Sequence, residues 1–198
     1  LFSLFGNQPD VRRTATSNFK HHGERIYLVG TTYDELGASE VAFHLRENGE
    51  VSGIGGQVPL LENPEGQLEV YRKLSTAIQS GLIRTAHDCS EGGLAIALAE
   101  MCIGGRCGAF IDIDGIGPGD AFSRLWSESL GRIVVSVEAE HEVAFVEMMD
   151  GADLHLIGMV SASSELLIED GYDTLIQADV EQLTESWKGA LDMTGAIE

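Results

Sequence analysis

The chain has 198 residues, 43% of them hydrophobic, with 32 Asp plus Glu against 12 Lys plus Arg and a formal net charge of -20. That length and apolar content suffice for one compact α/β domain with its own core, while the charge repels nucleic-acid phosphates and anionic membrane surfaces and so excludes roles there. Cys89, Cys102 and Cys107 are odd in number and lack a C-x-x-C pair, and no apolar run approaches the ~20 residues of a membrane span, which leaves neither a disulfide framework, nor a cysteine zinc site, nor an anchor, and points to the cytoplasm.

Residues 1–23 hold Pro9 and several Ser and Thr without periodicity, and read as an irregular lead-in or linker from a preceding domain, with the domain proper at 24–198. A start at Leu1 without an initiator Met fits a piece of a longer chain. ERIYLVGTT, from Glu24, is a short β-rich run that predicts a buried strand. Leu36 to Asn48 has helical spacing and stops at Asn48-Gly49. The glycine- and proline-rich stretch 49–64 predicts a loop, because its Gly53–Gly56 tract has neither a Lys nor a following helix start to make a phosphate cradle. A helix is expected from Gln67 to Ser80, ended by Gly81.

Strand and helix then alternate. We expect strands at LIRTAH, GAFIDI, RIVVSV and LHLIGMV, separated by helices at Glu91–Ile103, near Ala121–Ser127, and at His141–Asp150. SELLIED and YDTLIQAD form a hairpin across Asp170-Gly171, and a last amphipathic helix runs from Val180 to Leu191. The sum is an α+β fold, a mixed β-sheet packed with helices in an α/β sandwich.

The densest signal is Thr85-Ala86-His87-Asp88-Cys89-Ser90-Glu91-Gly92-Gly93-Leu94, a strand end joined to a helix start. Ser90 or Asp88 is placed to cap the helix, and Gly92 and Gly93 leave its first turn bare, either for an anion or for close packing against the sheet. The following LAIALAEMCI is apolar on nearly every side, which predicts burial all round. His87 beside Asp88 suggests acid–base work, yet neighbours on a strand point to opposite faces and should not touch. In Trp126-Ser127-Glu128-Ser129-Leu130-Gly131-Arg132 the Glu, hydroxyls and Arg suit a sugar phosphate, or else Arg132 pairs a surface acid at a helix–strand junction.

HDCSEGGLAIALAEM resembles the HD-x-S-x-GGLA-x-ALAEM signature of the last domain of phosphoribosylformylglycinamidine synthase, a family with an AIR-synthase-like C-terminal domain. FKHHGERIYLVGTT, ELGASE, SESLGRIVVSV and the closing SWKGALD are similar to the family's successive segments, so the likeness runs from about Phe19 onward. It implies a part in converting formylglycinamide ribonucleotide, ATP and glutamine-derived ammonia into formylglycinamidine ribonucleotide, ADP and phosphate. It further implies that this is the C-terminal domain of the second half, and that the catalytic His and most ligands of Mg²⁺ and ATP lie in an N-terminal ATP-handling domain. The fragment alone should then be inactive, with that domain, the glutaminase component and a small helper subunit as partners.

By likeness to the first half's SES-x-ER string, Glu128 and Ser129 occupy substrate-facing positions, although Leu130-Gly131 departs from it. The candidates for a ligand or phosphate cleft are therefore His87, Asp88, Ser90, Gly92, Gly93, Glu128, Ser129 and Arg132, with no catalytic residue and no metal ligand assigned. The alternative role is a non-catalytic interaction module that stabilises the synthetase and docks its partners.

Overall fold

The fold, a computed structural model, is described for residues 3, 5–8, 10–49 and 56–189. Most of the Gly53–Gly56 tract and the predicted end of the last helix at Leu191 lie outside the described residues. Seven strands form one sheet: β1 (Arg25–Val29), β2 (Ile83–Asp88), β3 (Gly108–Asp112), β4 (Ile133–Val137), β5 (Leu154–Ser161), β6 (Glu165–Asp170) and β7 (Asp173–Asp179). Their order is β2-β4-β1-β5-β3-β6-β7. Among the pairings of these described strands only β3–β6 is parallel, so the sheet is mixed, as expected. The helices are α1 (Glu40–Glu47), α2 (Pro64–Ser80), α3 (Gly93–Gly105), α4 (Ala121–Trp126), α5 (Glu142–Met148) and α6 (Val180–Gly189).

The sheet buries a different core on each face, because side chains alternate along every strand. On one face Ile26, Leu28, Val134, Ile111 and Ile168 pack against Leu94, Leu98 and Met101 of α3. On the other, Tyr27, Val29, Val135 and Val137 meet Leu74 and Ala77 of α2 and Phe145 of α5. The helices of the second face pack over the β2-β4-β1 end and the start of β5, where Leu154 joins them. Towards the β7 end, Met159, Phe110 and Leu167 are cross-strand neighbours in register, and Phe110 and Met159 are exposed.

Local chemistry accounts for where helices start. Predicted from Leu36, α1 begins at Glu40, capped by the Ser39 hydroxyl that accepts from the Ala42 N–H at 3.3 Å. Gly37 is held instead against the neighbouring loop, its N–H donating to the Gln57 carbonyl at 2.9 Å. Helix α2 starts at Pro64, before the predicted Gln67, because Asn63 caps it and Pro suits a first turn. It ends at Gly81 in the left-handed conformation, φ +79°.

Helix α3 is buried on most of its circumference, but Ile96 is 39% exposed, so the expectation of burial all round is corrected. Ile96 falls outside the core cluster that Leu94, Ala97, Leu98 and Met101 join, and its side chain lies against Gly92 instead. The lead-in is packed onto the domain: Thr16 forms a parallel bridge with Thr85, and Phe19 belongs to the α3-side core. Among the described residues no helix is long and apolar enough to cross a membrane.

Candidate functional site

Strand β2 delivers its chain end beside the turn that links α4 to β4, and the two segments together line an open groove of about 470 Å³. Asp88, Ser90, Glu128 and Arg132 contribute to it, with Tyr71 and Leu130 supplying apolar walls. His87, Gly92, Gly93 and Ser129 do not line it.

Neither Ser90 nor Asp88 caps α3, which has no side-chain cap at its Gly92 N-cap. The cap comes from across the groove. Glu128 Oε1 accepts the Gly92 N–H at 2.9 Å and the Glu40 N–H at 2.8 Å, so one carboxylate neutralises the starts of both α3 and α1. The bare helix start that could receive an external anion is thus already served by an anion of the chain itself. Replacing Glu128 by Ala should remove two charge-assisted hydrogen bonds and destabilise the fold by about 1.5–3 kcal/mol. Glu128→Gln should lose less, since its amide oxygen still accepts; denaturant midpoints of the two variants test this ordering.

The glycines divide by role. Gly93 has φ +63°, and a Cβ there would lie 2.5 Å from the Ser127 carbonyl oxygen and 2.7 Å from that of Leu125. At this position the glycine is required by close packing of α3 on the α4–β4 turn, which answers the open choice between packing and anion contact. Gly92, φ +78°, is hemmed in by the Ile96 side chain of its own helix.

His87 and Asp88 do touch, contrary to expectation: His87 Nδ1 lies 3.6 Å from Asp88 Oδ1 and 2.7 Å from the Asp88 carbonyl oxygen. Asp88 closes β2, and strand alternation does not extend past that end. His87 Nε2 sits 3.1 Å from Glu100 Oε2, which ties the ring to α3 and away from the groove. The Asp88 side chain is 73% exposed.

Arg132 is neither a free phosphate ligand nor a surface ion pair. It is 1% exposed because it precedes β4 on the face shared with Val134, towards α3 and α4. Its guanidinium donates to Thr32 Oγ1 at 3.1 Å, to the Arg124 carbonyl at 3.3 Å and to the Ser127 carbonyl. Burial pulls its pKa below the usual value, against the pull of the Glu35 carboxylate. Ser129 is equally enclosed, its hydroxyl accepting the Tyr33 N–H at 3.0 Å. Cys89 also borders the groove, but burial pushes its thiol up to about 11, and a protonated thiol is no nucleophile at neutral pH.

Glu35 escaped the sequence reading. It is buried, and its Oε1 lies 3.4 Å from the Leu60 N–H. Its Oε2, together with Ser127 Oγ and Arg132 Nε, has no hydrogen-bond partner among the described residues. Its position inside ELGASE is the only signal the sequence carried, and burial of a carboxylate leaves no mark in composition. The groove's own residues do not fit a nucleotide triphosphate. Asp88, Glu91 and Glu128 face it as acids, and the cation lining it points inward. Nor are those acids among the trios spaced to hold an ion.

A mixed seven-stranded α+β domain with a strand–turn–helix junction flanking an open groove defines the fold class. A profile described as "AIR synthase related protein, C-terminal domain" matches residues 21–170, and the chain belongs to that family. In solved structures, Thermotoga maritima PurL complexed with FGAR superposes with a TM-score of 0.70 at 16% identity, covering 87% of this chain and 29% of that one. PurL complexed with ATP gives 0.67 at 17% identity, covering 86% and 27%. The HypE–HypF complex gives 0.57 at 20% identity, covering 83% and 55%. The chain therefore spans under a third of the PurL chains, and the likeness is one of fold.

Proposed function

We propose that this chain is the C-terminal domain of the second half of a phosphoribosylformylglycinamidine synthase, and that it forms one wall of a ligand cleft without carrying out catalysis itself. The observation that supports this most is that Asp88, Cys89, Ser90 and Glu91, in the middle of the HDCSEGGLA string, line an open groove about 470 Å³ in volume. The acidic lining and the inward Arg132 fit a wall that needs a neighbouring domain to supply the positive charge and metal ions that phosphates require. In this reading residues 1–23 are the connection from that ATP-handling domain, residues 24–198 are the domain proper, and the whole enzyme works in the cytoplasm on formylglycinamide ribonucleotide, ATP and ammonia from a glutaminase. Mixing the chain with ATP, Mg²⁺, ammonia and the formyl substrate should give no product, measured as ADP release. Turnover by the chain alone would overturn the assignment of catalysis to the missing neighbour.

A second reading, an interaction module that docks the glutaminase or a small helper subunit, draws on the stripe of Met159, Phe110 and Leu167, of which Phe110 and Met159 are exposed. Two titrations separate them. Saturable binding of a ribose phosphate that weakens in Ser90→Ala favours the cleft wall, and saturable binding of a glutaminase that weakens in Phe110→Ser favours the module.

A further inference from the structure

Far from the groove, two tight turns meet at adjacent ends of β1 and β4. The first is His21 to Glu24, closed by the Glu24 N–H to the His21 carbonyl at 3.4 Å. The second is Glu138 to His141, closed by the His141 N–H to the Glu138 carbonyl at 2.9 Å. Each carries a histidine and a glutamate three residues apart. Because Arg25 is in register with Val137 in an antiparallel pair, the turns face one another and Glu24 comes opposite Glu138.

Ligand atoms of His21, Glu24 and Glu138 lie within 4.8 Å of one another, and so do those of Glu138, Glu140 and His141, with Glu138 common to both trios. Glu24 is the decisive member. It is 5% exposed, and among the described residues no Lys, Arg or His nitrogen comes within ion-pair distance of it. One oxygen accepts the Ser136 hydroxyl at 2.5 Å. Lys20, close enough to feel its charge, spends its ammonium on Thr16, the Asn18 carbonyl and Thr85.

A buried carboxylate without a cation is costly, and a second carboxylate across an antiparallel pair adds repulsion. A bound cation answers both. The backbone holds the donors ready: the Gly23 N–H donates to the Val160 carbonyl and the Val160 N–H to the Glu24 carbonyl, each at 2.9 Å.

We propose that His21, Glu24 and Glu138 bind one first-row divalent metal ion of the zinc type, with His141 and Glu140 as an outer pair of donors at its edge. Mixed imidazole and carboxylate donors suit Zn²⁺ and Co²⁺ over the all-oxygen preference of Mg²⁺ and Ca²⁺. The ion would pin the segment before β1 to the end of β4 and thereby stabilise the fold.

The test uses the whole chain, with Zn²⁺ followed by calorimetry and Co²⁺ by its visible absorption. We expect saturable 1:1 binding and, at about 100-fold excess over the dissociation constant, a melting temperature raised by roughly 5–10 °C. Mg²⁺ and Ca²⁺ at the same concentration should give little shift. His21→Ala, an exposed change that leaves the core intact, should weaken Co²⁺ binding at least about 10-fold, as should Glu138→Gln. His155→Ala, at a separate His–Asp pair outside both trios, should bind as the parent does. Absence of saturable binding, or affinity unchanged in both His21→Ala and Glu138→Gln, would overturn the site and leave only diffuse attraction to an acidic surface.

Discussion

Gly93→Ala should be strongly destabilising. Two effects add at this position. The residue holds φ +63°, a region that costs an L-residue roughly 1–2 kcal/mol. The new methyl would also press on the carbonyl oxygens of Ser127 and Leu125 at 2.5 and 2.7 Å. Those atoms are backbone, and the Ser127 carbonyl is already held by Arg132, so the turn has little room to yield. Overpacking of this kind adds about 1–3 kcal/mol, for a total loss of about 2–5 kcal/mol. Gly171→Ala is the control, since Gly171 has φ +64° but open space around its Cβ position. It should lose only the backbone contribution of about 1–2 kcal/mol. Urea denaturation of the two variants decides the matter, and equal losses would show that α3 does not press on the α4–β4 turn as described.

Arg132→Ala should cost a further large amount, about 3–5 kcal/mol. Arg132 heads the largest fully buried side chains, and its removal strands the Thr32 hydroxyl and the Arg124 and Ser127 carbonyls that it now serves. Lysine keeps the charge but not the planar fork, so Arg132→Lys should still lose about 1–3 kcal/mol. If Arg132 instead served a ligand on the groove side, Arg132→Lys would fold with near-parent stability and lose only affinity. Denaturant midpoints read alongside ligand titration distinguish the two outcomes.

These two positions share one structural consequence. The turn 127–132 is held from beneath by Arg132 and against α3 by Gly93, and that is what brings the Glu128 carboxylate to the starts of α1 and α3. Loss of either support should displace Glu128 and reshape the groove, so that stability and any ligand response fall together.

The elements were legible in the sequence because period and punctuation are local. Alternating and helical apolar spacing located the seven strands and six α-helices of the described residues, and Gly81 and Asp170-Gly171 marked their turns. The α+β class followed, and the string from His87 to Leu94 located a strand–helix junction beside which a groove is found. What lay beyond the sequence was which way each candidate faces and what already occupies its hydrogen bonds. Arg132 reads as a surface cation until the strand register turns it under α4. Gly92 and Gly93 read equally as an anion cradle or a packing contact until Glu128, 36 residues away, supplies the anion and the α4–β4 turn closes on Gly93. Glu24 and Glu138 are unremarkable acids among 32 Asp and Glu until antiparallel pairing sets them face to face. Propensity and spacing depend on neighbours in the chain, whereas burial, charge pairing and ligand geometry depend on segments brought together only when the sheet closes.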